Sequence, residues 1–154
     1  AYLRAGIAVG LGTDGAASNN DLDMFEAMRV AALLHKHETV DPTALSARTV
    51  VEMATIRGAR APGMETRIGS LEPKKKADLI TVSVSGARQT PMYDPLSHLV
   101  YVIHGDDVRN TIVNGKVLMR DRKVLTLDET AILAEARSWA DKVRAAVKPA
   151  AISR

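Results

Sequence analysis

Gly12 to Asp21, GTDGAASNND, is the stretch that decides the fold, because it sets one carboxylate at the end of a short apolar run. That run, Ile7-Ala8-Val9-Gly10-Leu11, is too short for an independent helix and apolar on both faces. Those features predict a strand buried inside a parallel sheet, with Asp14 at its carboxyl end. In α/β folds and barrels that end is where ligands bind and where acids and histidines converge on a metal or substrate. The competing reading is that Asp14 only closes a tight turn between Gly12 and Gly15.

The chain of 154 residues is 46% apolar and 25% charged, a globular balance. A net charge of +3 and an aromatic content of 3% offer neither the electrostatic footprint nor the stacking platforms of a nucleic-acid binder. Lys74-Lys75-Lys76 reads as a solvated turn. The absence of cysteine excludes a disulfide scaffold and a thiolate metal site. With no apolar run of membrane-spanning length and no signal peptide at the start, the expectation is a cytoplasmic protein without a membrane partner.

Ala1 to Ala5 reads as a helix tail stopped by Gly6. After the Asp14 loop, Asn20 or Asp21 is expected to cap a helix with Leu22, Phe25, Met28, Ala32 and His35 along one side. Asp41-Pro42 signals a second helix start, running with interruptions to Ala61 before Pro62-Gly63 stops it. From Ile68 the period shifts towards strands. Thr111-Ile112-Val113 and Lys116-Val117-Leu118-Met119 flank Asn114-Gly115, the dipeptide best suited to a type I′ hairpin turn, and a second turn comes at Arg120 to Lys123. Asp128 should cap a last helix whose buried stripe is Ile132, Leu133, Ala136, Trp139, Ala140 and Val143.

The segment GTDGAASNNDLDMFEAMRVAALLHK (12–36) resembles the segment after the eighth barrel strand in the amidohydrolase superfamily, most closely in the 5-methylthioadenosine/S-adenosylhomocysteine deaminases. The resemblance continues through IGSLEPKKKADLITV (68–82), MYDPLSHLVYVIHGDDVRNTIVNGKVLMRD (92–121) and LDETAILAEARSWADKV (127–143). It implies an α/β fold, the C-terminal fragment of a metal-dependent (β/α)8 barrel hydrolase plus part of its β-sandwich satellite domain. A whole barrel needs roughly 250 residues. The expected division is residues 1–66 for the last barrel strand and its helices, 67–127 for the satellite portion and 128–154 for the C-terminal helix.

By the same resemblance Asp14 is a metal ligand and proton shuttle, and the remaining ligands, an HxH pair and two later histidines, belong to sequence before Ala1. The implied cofactor is a divalent metal, zinc in the first place, with iron or another divalent ion as the alternative. The implied reaction is hydrolytic deamination of an adenine nucleoside, inactive in this chain without the missing ligands. Guanine deaminase-like and triazine chlorohydrolase-like hydrolases are the alternatives within the enzyme class; a non-catalytic binding or assembly module is the alternative outside it. Expected partners are a small nucleoside or related heterocycle, the N-terminal portion of the enzyme and further copies in a homo-oligomer.

Ser18 and Asn19 are substrate-binding candidates, set against the commoner role of such residues in capping and folding loops. His98 is a third, because its segment approaches the barrel in similar enzymes; packing is the competing role. His35 and His37 cannot chelate one ion on a continuous helix, where residues two apart diverge by roughly 200°. Two departures from the family pattern fall in turns: Lys74 stands where similar enzymes have the glycine of EPGK, and Arg122 where glycine is frequent. Lys74 would be strained by about 1 kcal/mol in a type II turn, and a type I turn is the other possibility.

Overall fold

The computed structural model describes residues 2–3 and 5–147. The amides of Gly6 and Ile7 donate to the carbonyls of Leu3 and Tyr2 at 3.2 and 3.1 Å, with Gly6 at φ +74°. That is the Schellman closure of a helix end, as the glycine predicted. Ala1 and Arg4 of the expected helix tail lie outside the described residues.

Three helices build the core: α2 (Met24–Thr39), α3 (Ala47–Ala54) and α5 (Pro95–Tyr101), preceded by the single turn α1 (Ala16–Asn19). Phe25, Met28 and Ala32 of α2 meet Val50 of α3, Val100 of α5 and Ile103 just beyond it. Val50, Val100 and Ile103 are fully buried, each contributing about 1.5–3 kcal/mol by burial. Phe25, Met28 and Ala32 are three of the five positions expected on the buried side. The other two are corrected: Leu22 precedes the helix and is exposed, and His35 faces solvent.

The caps also differ from expectation. Asp23, not Asn20 or Asp21, caps α2, accepting the Phe25 amide at 2.8 Å. Asp21 is occupied one step earlier, taking the Asp23 amide at 2.9 Å. Asp41 does not start a helix either, because its carboxylate folds back onto the amide and hydroxyl of Thr43. Ser46 caps α3 instead. A break at Thr55 separates α3 from α4 (Ile56–Arg60), and Gly63 at φ +73° ends the helical run.

Ile7 to Leu11 forms no strand. No strand among the described residues pairs with it, so its backbone has no ladder to join. Instead the Leu11 amide donates to the Met53 carbonyl at the end of α3 at 3.1 Å. Gly10 permits this approach, since a Cβ there would sit 2.8 Å from the Gly58 Cα. Ile7 itself is half exposed.

The strands form a separate antiparallel meander, β1 (Leu79–Val82), β2 (Val108–Val113), β3 (Lys116–Arg120) and β4 (Lys123–Val124), in that order. Asn114 and Gly115, at φ +50° and +77°, close the β2–β3 hairpin as a type I′ turn. The β3–β4 turn repeats the geometry with Asp121 and Arg122 at φ +47° and +70°. Lys74 adopts φ +77° and the Lys75 amide reaches the Glu72 carbonyl at 3.1 Å, so the Glu72–Lys75 turn is type II.

Asp128 caps α6 (Glu129–Ala146), accepting the Ala131 amide at 3.0 Å. Its apolar stripe is not buried: Ile132, Leu133, Trp139 and Val143 are all exposed, because no other element packs over them. Residues 148–154 of the expected C-terminal segment lie outside the described residues. Among the described residues no helix is long and apolar enough to cross a membrane.

Candidate functional site

Asp14 sits at φ +60°, in the left-handed region that asparagine and aspartate tolerate better than most residues. Gly15 comes next, and its amide donates to Asp14 Oδ1 at 2.8 Å. This bond, aided by the neighbouring Ser18 hydroxyl, holds the Asp14 carboxyl below its ordinary value. The group is therefore an anion throughout the neutral range.

The loop around it is braced from within. Asn19 Nδ2 donates to the carbonyls of Thr13 and Asp21, each at 2.8 Å, and the Ser18 hydroxyl donates to the Gly15 carbonyl at 2.9 Å. These bonds tie both ends of α1 to the Asp14 turn. Together the loop and the first turns of α2 enclose an open cleft of about 420 Å³. Leu11, Gly12, Thr13, Asp14, Ser18 and Asn19 line one side, and Glu26, Ala27, Val30 and Ala31 the other.

Three of the four expected site residues, Asp14, Ser18 and Asn19, thus share one cleft. His98 does not line it. It is half-buried in α5, its Nδ1 lying 3.3 Å from the Asp94 carbonyl one turn earlier.

Glu26 is the acid that sequence reasoning passed over. Its carboxyl is raised, first by a hydrogen bond with Asp21 and by repulsion from the same group, with Asp23 adding to the effect. The signal was present: Asp23-Met24-Phe25-Glu26 has the spacing of a capping box, with an acid three residues after the cap. With the Asp14 and Glu26 carboxyls on its two sides, the cleft favours a cation or a hydrogen-bond donor and repels anions.

A metal needs more than this. Structural and catalytic zinc sites take three or four protein ligands. Among the described residues no cluster of three histidine, cysteine, aspartate or glutamate side chains is placed to hold an ion. Asp14 is a fitting oxygen donor, but one donor is not a site. His35 and His37 add nothing, since α2 continues through Thr39 and both are exposed.

The profile of the Amidohydrolase family matches residues 1–118. The chain is 55% identical over 141 residues to the 5′-deoxyadenosine deaminase of Methanosarcina barkeri, covering 92% of this chain and 32% of that protein. It is 49% identical to 5-methylthioadenosine/S-adenosylhomocysteine deaminase 1 of Syntrophus aciditrophicus, covering 95% and 33%. The chain therefore spans about a third of the length of these curated relatives. Among solved structures, an adenosine deaminase from Xanthomonas campestris with bound zinc superposes with a TM-score of 0.88 at 43% identity, over 93% of this chain and 33% of that one. A zinc-complexed atrazine chlorohydrolase from Arthrobacter aurescens superposes at 0.73 and 31% identity, over 89% and 30%.

Proposed function

The chain belongs to the amidohydrolase family, and we propose that it supplies the C-terminal, aspartate-bearing part of a metal-dependent deaminase of adenine nucleosides. The observation that carries this reading is the placement of Asp14: an ionised carboxylate at the rim of a cleft, held by a braced loop and faced by a second acid. In this reading residues 1–66 belong to the barrel, 67–127 to the satellite domain and 128–154 to a terminal helix.

Asp14 serves as a metal ligand, the other donors coming from residues outside this chain. A divalent ion bound there, zinc by analogy with the solved neighbour, would supply Lewis acidity and an acidified water. The part played by this chain is proton handling. One oxygen of Asp14 rests on the Gly15 amide, while the carboxylate as a whole accepts a proton and releases it towards the departing ammonia. Its lowered pKa keeps it ionised between turnovers and ready to accept again. Ser18 and Asn19 set the loop and border the substrate at the mouth; His98 takes a packing role within α5.

The test is reconstitution. The 154-residue chain is co-expressed with the N-terminal two thirds of the Methanosarcina barkeri relative, and ammonia release from 5′-deoxyadenosine and S-adenosylhomocysteine is measured. The chain alone should be inactive and the assembled pair active. Asp14→Asn should lower turnover by about 100-fold or more, the usual size of a general acid–base effect. A pair that assembles but releases no ammonia from any adenine nucleoside, or an Asn variant keeping more than about a tenth of turnover, refutes the reading. The likeness to the atrazine chlorohydrolase supports a second one, which chloride release from atrazine by the same pair would establish.

A further inference from the structure

We propose that α6 is a self-association element through which two copies of this chain pair their final helices antiparallel. Ile132, Ala136, Trp139 and Val143 succeed one another at spacings of four, three and four residues, the a/d pattern of a coiled-coil seam. None of α6 is buried, and Trp139 stands 56% exposed. Ile132, Leu133, Trp139 and Val143 leave on the order of 400 Å² of apolar surface open on each copy, the size of the largest patch on a typical monomer, which is often functional. Paired and with the flanking stems counted, two such faces hide roughly 1,000 Å², the low end for a specific dimer.

Charge selects the occupant. With its cap, the first half of the helix carries Asp128, Glu129 and Glu135 against Arg137; the second carries Lys142 and Arg144 against Asp141, which is tied to Arg144 at 2.7 Å. A partner of uniform charge would be attracted by one half and repelled by the other. A second α6 run in the opposite direction meets each half with its complement, and the two helix dipoles align favourably as well.

The antiparallel register is set by the seam. Ile132 faces the second copy's Val143, and Ala136 leaves room for the second copy's Trp139. Glu135 and Lys142 then flank the seam on one side, each opposite its counterpart on the other copy, which gives two reciprocal ion pairs. Both already lean on Trp139: the indole Nε1 donates to Glu135 Oε1 at 3.4 Å, and Lys142 Nζ lies 4.3 Å from the ring centre.

The test is a charge-exchange series on the 154-residue chain, read by sedimentation equilibrium up to about 100 µM and by quenching of Trp139 fluorescence. The parent chain should form a discrete dimer that shields Trp139. Glu135→Lys or Lys142→Glu alone places like charges together and should weaken dimerisation at least tenfold. The double exchange should restore it, and an equimolar mixture of the two single variants should form a heterodimer. Both side chains are exposed, and unchanged helical circular dichroism shows that the fold is kept. A chain that stays monomeric over this range overturns the proposal. So does an association indifferent to the charge series, or a Trp139 that becomes shielded only when the N-terminal portion of a relative is added.

Discussion

Replacing Asp23 by alanine should remove two restraints at once, because its two carboxylate oxygens serve different parts of the chain. Oδ1 accepts the Phe25 amide at 2.8 Å and caps α2; Oδ2 accepts the Gly105 amide at 2.8 Å, 82 residues further on. Loss of the cap costs about 1 kcal/mol. Leaving the half-buried Gly105 amide unpaired costs about 1–3 kcal/mol more. The sum, about 2–4 kcal/mol, corresponds to a fall of roughly 5–12 °C in Tm for a chain of this size. Asp23→Asn keeps one oxygen and can satisfy only one of the two amides, so it should lose about half as much.

Thermal unfolding monitored by circular dichroism gives the totals, and amide hydrogen exchange at Phe25 and Gly105 separates the parts. Because Arg122 Nη1 donates to the Gly105 carbonyl at 3.0 Å, Asp23→Ala and Arg122→Ala act on one turn and should be non-additive in a double-mutant cycle. A loss below about 0.5 kcal/mol for Asp23→Ala, or a Gly105 amide still protected in that variant, would refute the reasoning.

Two further expectations concern the turns and the acids. Lys74→Gly should raise stability by about 0.5 kcal/mol, relieving φ +77° strain at a cost in chain entropy, whereas Arg122→Gly at φ +70° should not stabilise, since it forfeits the bonds to Gly105 and Val108; urea midpoints decide both. The carboxyls of Asp14, Asp41, Glu72 and Asp94 are all held below their ordinary values by hydrogen bonds, so their stabilisation is present above the unfolded values of 3.8 and 4.5 and is lost as pH falls through the lower folded ones. Glu26, raised in the fold, acts oppositely, its contribution fading as pH rises past 4.5. The urea midpoint should therefore drop steadily below about pH 4, and a midpoint that is flat or rising there would contradict the assignment.

Local chemistry was legible where the sequence carries its own instruction. Asn114-Gly115 admits few turns besides I′, and Asp128 has no competitor within reach of the Ala131 amide. Where several acids stand close together, the nearest candidate was not the cap: Asp21 spends its carboxylate on Asp23, which then caps α2. Apolar periodicity found Phe25, Met28 and Ala32 because they have α3 and α5 to pack against. It failed for α6, which has the same periodicity and nothing over it, and for Ile7 to Leu11, which has the composition of a buried strand and no neighbour to pair with. Asp14, Ser18 and Asn19 were found together because they lie within five residues of one another. Glu26 joins them only through the turn that α1 makes, which no periodicity encodes.

These mismatches share a cause that surface area makes plain. The chain exposes 11385 Å², whereas a compact protein of its 16.6 kDa mass exposes about 7,600 Å². Among the exposed apolar side chains are Ile7 beside the Asp14 loop, Val30, Leu33 and Leu34 on the outer face of α2, and the stripe of α6. Antiparallel pairing of α6 removes roughly 1,000 Å² from two copies, a small part of that excess. The outer face of α2 is left open by that pairing, and it adjoins the cleft, since Val30 belongs to both. Covering α2 would therefore also wall off the side of the cleft opposite Asp14, excluding water and strengthening the field that the acids make there. Burial of the outer face of α2 would in this geometry narrow the cleft at the same time, whereas α6 contributes no residue to it.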